Sequence, residues 1–336
     1  MNAHKSLVSI LIPTFNQPEF FRQALESALN QTYKNIEILV SDDSTDDRVE
    51  KIASEYKDRI RFFKHANSYT DEPIASRTGI NLEFLLKESR GEFINVLYHD
   101  DLIYPEKISK MIHFFEIDPR VGLVASLRNY IDSDGNVVED HEEKSSADTP
   151  GRFVFMDSDA AGRELLTVGG NFIGELTTVL IRREDFFHKD LKKFSASYFH
   201  GVKDHCMYDV PTYLEIFSRG KGLIFMSDTL SAFRRHRSQN TSDGATRLLM
   251  LLDYLALIAK SYQENLFLHS EIDLSNAFRG WNRLAAQILL DIKSVSPKSK
   301  NLIELLIRAL DSISQKNLES TIEIAFEWIN FNSEIR

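Results

Sequence analysis

Apolar and polar positions divide the chain into two regimes. Over the first third, unbroken apolar runs alternate with stretches of helical period. Residues 7–12 (LVSILI), 36–41 (IEILVS), 60–64 (IRFFK) and 92–98 (EFINVLY) read as strands, the first stopped by Pro13. Residues 18–30 (PEFFRQALESALN) place apolar side chains on one helical face behind a proline in the first turn. Residues 46–57 and 74–88 also suit helices, and Pro105 opens another. Strands without alternation, separated by helices, predict a parallel sheet covered on both faces. Ligands bind such sheets beyond the carboxyl ends of the strands. Those ends carry Pro13-Thr14-Phe15-Asn16, Asp42-Asp43-Ser44-Thr45-Asp46 and His99-Asp100-Asp101.

The middle has a different character. Residues 121–127 and 129–138 read as strands, the second with a turn at Asp134-Gly135. The acidic, polar, glycine-containing stretch 139–170 reads as a long loop or flap. Residues 176–182 return as a strand, 205–219 as a helix ending at Gly220, and 222–226 as a last strand. From about 244 the pattern is helical throughout, over 245–264, 272–293, 299–312 and 317–330. This tail has almost no glycine or strand signal and reads as a separate helical unit.

Composition narrows the classes. At 336 residues the chain can bury a full-sized core and still hold a second domain. A 43% hydrophobic and 27% charged content is that of an ordinary soluble protein. The net charge of −10 argues against nucleic acid as a partner. No run approaches the ~20 apolar residues that span a bilayer, and the N-terminal apolar run is too short for a signal peptide. The single cysteine, Cys206, excludes an intrachain disulfide and a cysteine-based zinc site, and fits a reducing cytoplasm.

Candidate chemistry lies at the strand ends. Adjacent carboxylates at Asp100 and Asp101 raise each other's pKa near a desolvated sheet edge. A divalent cation would offset that cost, and a solvated turn capping the next helix is the plainer alternative. Asp42 or Asp43 can accept a hydrogen bond from the ring N–H of a pyrimidine. Ser44 can instead cap a helix, and Arg77 can pair with these carboxylates or with a diphosphate.

These residues resemble a known family. The stretch VSILIPTFNQPEFFRQALESALNQTYKNIEILVSDDSTDD is similar to the opening of family 2 glycosyltransferases with the GT-A fold. The resemblance continues through Ala75-Ser76-Arg77, Arg90-Gly91-Glu92 and Asp100-Asp101, resumes over 171–183 and ends over 234–239. It covers about residues 6–242. It implies an α/β, Rossmann-like GT-A domain over 1–242, with a mostly parallel sheet and helices on both faces, followed by an all-helical domain over 243–336.

For the site, the resemblance implies nucleotide-sugar contacts from Pro13, Thr14, Phe15, Asn16, Asp42, Asp43, Arg77, His99, Asp100 and Arg235. It implies Mn²⁺ or Mg²⁺ on Asp100, Asp101 and His236. The turn at Asp42 is one residue shorter than the family's, which leaves open which aspartate faces the base. Tyr98 stands where the family often has a first metal aspartate. A general base is expected at the start of a helix that reaches glycine eleven residues later; Asp209 before Gly220 has that spacing, and Asp204 is the second candidate.

The function implied is inverting, metal-dependent transfer of a sugar from a nucleoside-diphosphate donor, UDP-sugar favoured, to a hydroxyl. The acceptor would be a glycan, a lipid-linked sugar or a protein, in bacterial polysaccharide or glycoconjugate assembly. The expected location is the cytoplasm, or peripherally the inner membrane face, and the tail would pack on the catalytic domain, cover the acceptor side or serve a homodimer. Two other classes also fit the early motifs. A nucleotidyltransferase would carry a glycine-rich phosphate loop, and Pro13 to Pro18 contains no glycine. A non-catalytic nucleotide-binding module would tolerate Tyr98.

Overall fold

The computed structural model describes residues 6–65, 74–138, 151–186, 198–200, 202–203, 207–236, 239, 244–291 and 300–334. The early apolar runs form β1 (Val8–Thr14), β2 (Ile36–Asp42), β3 (Arg61–Lys64) and β4 (Phe93–Val96). Between them lie α1 (Pro18–Leu29), α2 (Arg48–Ser54) and α3 (Ile74–Glu88). Next come β5 (Leu102–Ile103), α4 (Lys107–Ile117), β6 (Val121–Ile131), β7 (Val137–Val138), β8 (Phe153–Met156) and α5 (Ser158–Thr167). A 3₁₀ turn, Leu176–Thr178, leads into β9 (Val179–Arg182). Then follow β10 (Tyr198–Phe199), β11 (Val202–Lys203), α6 (Asp209–Ser218) and β12 (Gly222–Arg234). The tail forms α7 (Gly244–Gln263), α8 (Glu271–Asp291), α9 (Lys300–Ser314) and α10 (Leu318–Glu334).

Two compact units result. The first holds Met1–Met156, Ile173–Phe194 and Lys221–His236. Its mixed sheet runs β3-β2-β1-β4-β9-β6-β12-β5, with β7 on β6 and β8 on β12. Strands β3, β2, β1 and β4 are mutually parallel. β9 lies antiparallel between β4 and β6, and β6 pairs parallel with β12. Side chains alternate across a strand. Ile38 and Val40 therefore join Ile10, Ile12, Phe21, Leu25 and Val49 on one face. Ser41 points the other way, and its hydroxyl meets Asn81 of α3 at 2.6 Å. Both faces of the parallel half are thus covered.

Pro13 does not stop β1, which continues to Thr14 in register with Asp42. Leu11 bonds toward β4, where Leu97 N–H meets its carbonyl at 2.9 Å. Pro13, two residues on, faces the same side, but the pairing with β4 has already ended at Val96. No ladder hydrogen bond is lost there, so proline is tolerated. β4 stops short of Tyr98 because the Tyr98 N–H turns to the Thr177 hydroxyl at 3.3 Å. Gly91 lets this region close: a Cβ there would lie 2.6 Å from Ser9 N, and its own N–H donates to Ser9 Oγ at 2.9 Å.

Three other expectations are corrected. Residues 121–131 form one strand rather than two, paired along its length with β12. The last strand does not end at 226 but continues to Arg234. Within 139–170, residues 139–150 lie outside the described ones, while 151–170 hold β8 and α5 instead of a loop. α5 is capped by Asp157, which accepts from Ala160 N–H at 2.8 Å, and it buries Ala161, Leu165 and Leu166.

The second unit holds Asp157–Phe172, Ser195–Gly220 and Arg237–Arg336, so α5 and α6 belong with the tail helices. Trp281 of α8 donates to the Leu251 carbonyl at 2.7 Å, and Trp328 of α10 to Asp253 at 2.9 Å. α8 approaches the end of α5 at backbone contact, since a Cβ on Gly169 would sit 2.2 Å from the Gly280 carbonyl oxygen. Among the described residues no helix is long and apolar enough to cross a membrane.

Candidate functional site

The carboxyl ends of β1, β2 and β4 lie side by side and are tied by side chains. Asn16, in the left-handed region at φ 54°, donates its N–H to Ser44 Oγ at 2.8 Å. Its side-chain oxygen accepts from Thr45 N–H at 2.9 Å. Ser44 thus holds the first loop rather than capping α2. His99 reaches the Pro13 carbonyl through Nδ1 at 3.3 Å. Three neighbouring polar atoms are buried without a hydrogen-bond partner: Thr14 Oγ1, Asp43 Oδ2 and His99 Nε2.

Asp42 and Asp43 have different partners. Asp42 accepts from Ser44 N–H at 2.9 Å and from Lys64 Nζ at 2.7 Å. Asp43 is held at one oxygen only, by Asn81 Nδ2 at 2.9 Å. Burial pushes the Asp43 carboxyl up, against the pull of Asn81 and the Arg77 guanidinium. Arg77 lies over the Phe15 ring at 5.6 Å, a cation–π distance.

Asp100 and Asp101 also diverge. Asp101 is 1% exposed, with Oδ2 accepting from the Thr177 hydroxyl at 2.7 Å and Oδ1 from Arg234 N–H at 3.1 Å. Burial, then the charges of Asp100 and Glu175, push it well above the usual carboxylate range. Burial pushes Asp100 up as well, but the His236 hydrogen bond and the two nearby imidazoles outweigh it and hold the group low. Their surroundings thus push the two adjacent carboxyls in opposite directions.

The Asp100–His236 pair is a hydrogen bond between two side-chain types that divalent ions take as ligands. Asp100 Oδ2 and His236 Nε2 stand 3.0 Å apart, about the spacing of adjacent ligands on an octahedral ion with bonds of roughly 2.1 Å. Among the described residues no group of three or more His, Cys, Asp or Glu side chains could hold a metal. Mg²⁺-type ions in nucleotide sites take one or two protein ligands and phosphate oxygens for the rest. Asp101, expected as a third ligand, has both oxygens turned to protein donors. Arg235 is exposed and packs over Tyr130 at 3.8 Å.

Arg234, Asn81 and Thr177 were not among the expected site residues. Arg234 is fully buried and fastens the Asp100-Asp101 turn. Its guanidinium donates to the Asp100 carbonyl at 2.7 Å, Gln23 Oε1 at 2.7 Å, and the Asp132 and Ser133 carbonyls at 3.0 and 3.2 Å. An arginine amid the alternation of β12 was the signal available for it. Asn81 and Thr177 gave none, because their roles arise from helix and turn placement.

In the second unit, Asp209 opens α6, where the helix dipole favours an ionised carboxylate. Asn171 Nδ2 donates to its Oδ2 at 2.6 Å, and Val210 N–H to its Oδ1 at 2.9 Å. Gly220 ends the helix at φ 79°. Asp204 lies outside the described residues.

The family description "Glycosyl transferase family 2" matches residues 9–186. An uncharacterized glycosyltransferase of Rickettsia typhi is 42% identical over 112 residues, 33% of this chain and 33% of that protein. An Escherichia coli UDP-Glc:alpha-D-GlcNAc-diphosphoundecaprenol beta-1,3-glucosyltransferase is 40% identical over 113 residues, 33% of this chain and 42% of that one. The alignments thus span well under two thirds of these relatives' own length. Staphylococcus aureus TarS 1–349 in complex with UDP-GlcNAc shares the fold at TM-score 0.55 and 14% identity, covering 96% of this chain and 91% of that chain. A Pyrobaculum calidifontis mannosyltransferase in complex with GDP-Man and Mn²⁺ does so at TM-score 0.50 and 15% identity, covering 97% and 87%.

Proposed function

The chain belongs to glycosyl transferase family 2, and we propose that it moves a sugar, with inversion, from a UDP-sugar to an acceptor hydroxyl with Mn²⁺ or Mg²⁺ bound. The observation that carries this reading is the Asp100–His236 pair, 3.0 Å apart at the end of the parallel strands. Asp100 and His236 would hold the ion, and Arg235 would meet the diphosphate. When bound, the ion neutralises charge on the departing nucleoside diphosphate.

The chain's own groups supply the rest. Asp43, with a buried oxygen lacking a partner, suits the ring N–H of uracil better than Asp42, which Lys64 and Ser44 occupy. Arg77, lying over Phe15, acts on the same carboxylate. Asp209 is the proposed base, taking the proton of the acceptor hydroxyl as it attacks the anomeric carbon from the face opposite the diphosphate. The proposal also takes 1–242, whose α5 and α6 group with the tail helices, as the catalytic portion, and 243–336 as a helical portion available to a homodimer. The named activity of the E. coli glucosyltransferase relative favours a UDP donor and a lipid-linked or glycan acceptor in surface-glycan assembly. The proposed location is the cytoplasm or, peripherally, the inner membrane face.

Calorimetry with UDP tests the site. Mn²⁺ should tighten UDP binding by wild type, and Asp100→Ala should lose that gain while Tyr98→Phe keeps it. Equal binding by Asp100→Ala and wild type would sink the assignment. Release of free sugar from a UDP-sugar panel without acceptor separates an enzyme from a binding module.

The two β2 aspartates should also separate. Asp43→Asn should weaken UDP binding and spare stability. Asp42→Asn removes the charged partner of Lys64, and a hydrogen bond to a charged group is worth about 1.5–3 kcal/mol. It should therefore lower the urea midpoint, with a smaller effect on UDP affinity. The opposite pattern would assign the base contact to Asp42.

A further inference from the structure

Resting on that reading, we infer that Thr177 is a positioning residue, which aims the metal-binding turn through a buttress anchored by Lys107. The Thr177 hydroxyl receives the Tyr98 N–H at 3.3 Å and donates to Asp101 Oδ2 at 2.7 Å. It thereby spans the turn on both sides of His99 and Asp100. The 3₁₀ turn that presents it is itself fastened from two directions. Asn95 of β4 donates to the Thr177 and Val179 carbonyls at 3.3 and 2.7 Å. Lys107, at the start of α4, donates to the Thr178 carbonyl at 2.7 Å.

Lys107 is an unusual choice for this task. It is 0% exposed, and burial pushes its ammonium down to about 7, with Glu175 opposing. A buried ammonium needs hydrogen-bond acceptors to offset its desolvation. Here it reaches one backbone carbonyl, on the turn that carries Thr177. Thr177, Asn95, Asp101 and Lys107 are all fully or almost fully buried, so none of them meets donor or acceptor directly. Their effect passes through Asp101 and the Tyr98 amide to the direction of the Asp100 carboxylate. Groups that orient metal ligands in this way typically contribute 10–100-fold to metal affinity.

The test is a calorimetric titration of UDP with and without Mn²⁺ on the full chain. Thr177→Val should lose about 10–100-fold of the Mn²⁺-dependent gain in UDP affinity, with metal-free UDP affinity unchanged. Thr177→Ser, which keeps the hydroxyl, should restore the gain. Lys107→Met should show a smaller loss of the same kind. A Thr177→Val protein with the full Mn²⁺ gain overturns the inference and leaves the proposed function standing. Equal weakening with and without metal overturns it too, since that marks general structural damage. Absence of any Mn²⁺ gain in wild type strikes instead at the metal reading beneath it. Should Thr177→Val fail to fold, Lys107→Met decides alone, and an undiminished gain there overturns the inference.

Discussion

Asp209→Asn should slow sugar transfer by roughly 10²–10⁴-fold, the typical share of general base catalysis, while UDP-sugar affinity stays nearly unchanged. Asn171 and Val210 already hold both carboxylate oxygens. An amide of the same shape can keep the Val210 bond but cannot take a proton. The loss should therefore fall on kcat, with no matching rise in donor Kd. Initial rates with a UDP-sugar and calorimetry with UDP give the two numbers. Asp204→Asn should be milder, and the reverse order would make Asp204 the base. Normal transfer by both variants would move the role elsewhere. Glu175, paired with Arg128 at 3.3 Å, is the next carboxylate to examine.

Arg234→Met should destabilise the first unit by about 3–5 kcal/mol, the cost of removing one member of a buried charged network. The guanidinium joins Gln23 of α1, the Asp100 carbonyl and the turn after β6. It also lies over the Phe20 ring at 4.5 Å. Burial pushes its pKa down, against the nearby charges of Asp100, Asp101 and Asp132. Methionine fills much of the space but leaves Gln23 Oε1 and the Asp100, Asp132 and Ser133 carbonyls without this charged donor. Arg234→Lys should recover little, because an ammonium cannot serve a planar fork of acceptors. The urea midpoint of unfolding checks this. A midpoint equal to wild type would remove Arg234 from the framework of the turn.

Much of this architecture is legible before folding. Val8 to Ile12, Ile36 to Val40 and Phe93 to Val96 show the unbroken apolar runs of doubly covered strands, and all three are strands. α3 ends where expected because Glu88 precedes a polar Ser-Arg-Gly break. Pro13 misled because a proline's tolerance depends on whether its neighbour strand is still paired, which no local pattern reports. Residues 158–167 misled because Asp, Arg and Glu side chains hide an apolar stripe of only Ala161, Leu165 and Leu166.

The candidate site divides along similar lines. The sequence by itself determined the chemistry available at the sheet edge, because residue type and position at a strand end are local properties. Asp43, Asp100 and His236 could all be named from motif and order. Tertiary structure alone decided which partners each of two adjacent carboxylates has. Asp42 is bound by Lys64 from β3, and Asp101 by Thr177 and Arg234, which lie 76 and 133 residues away along the chain. Asp42 ends β2 and Asp43 follows it, so their side chains leave on opposite sides. Asp100 and Asp101 instead sit in a turn closed by the Asp101 N–H on the Tyr98 carbonyl. In each pair one member is taken up by such partners. Which one is taken up depends on long-range hydrogen bonds and on burial, and neither is written in the order of two identical residues.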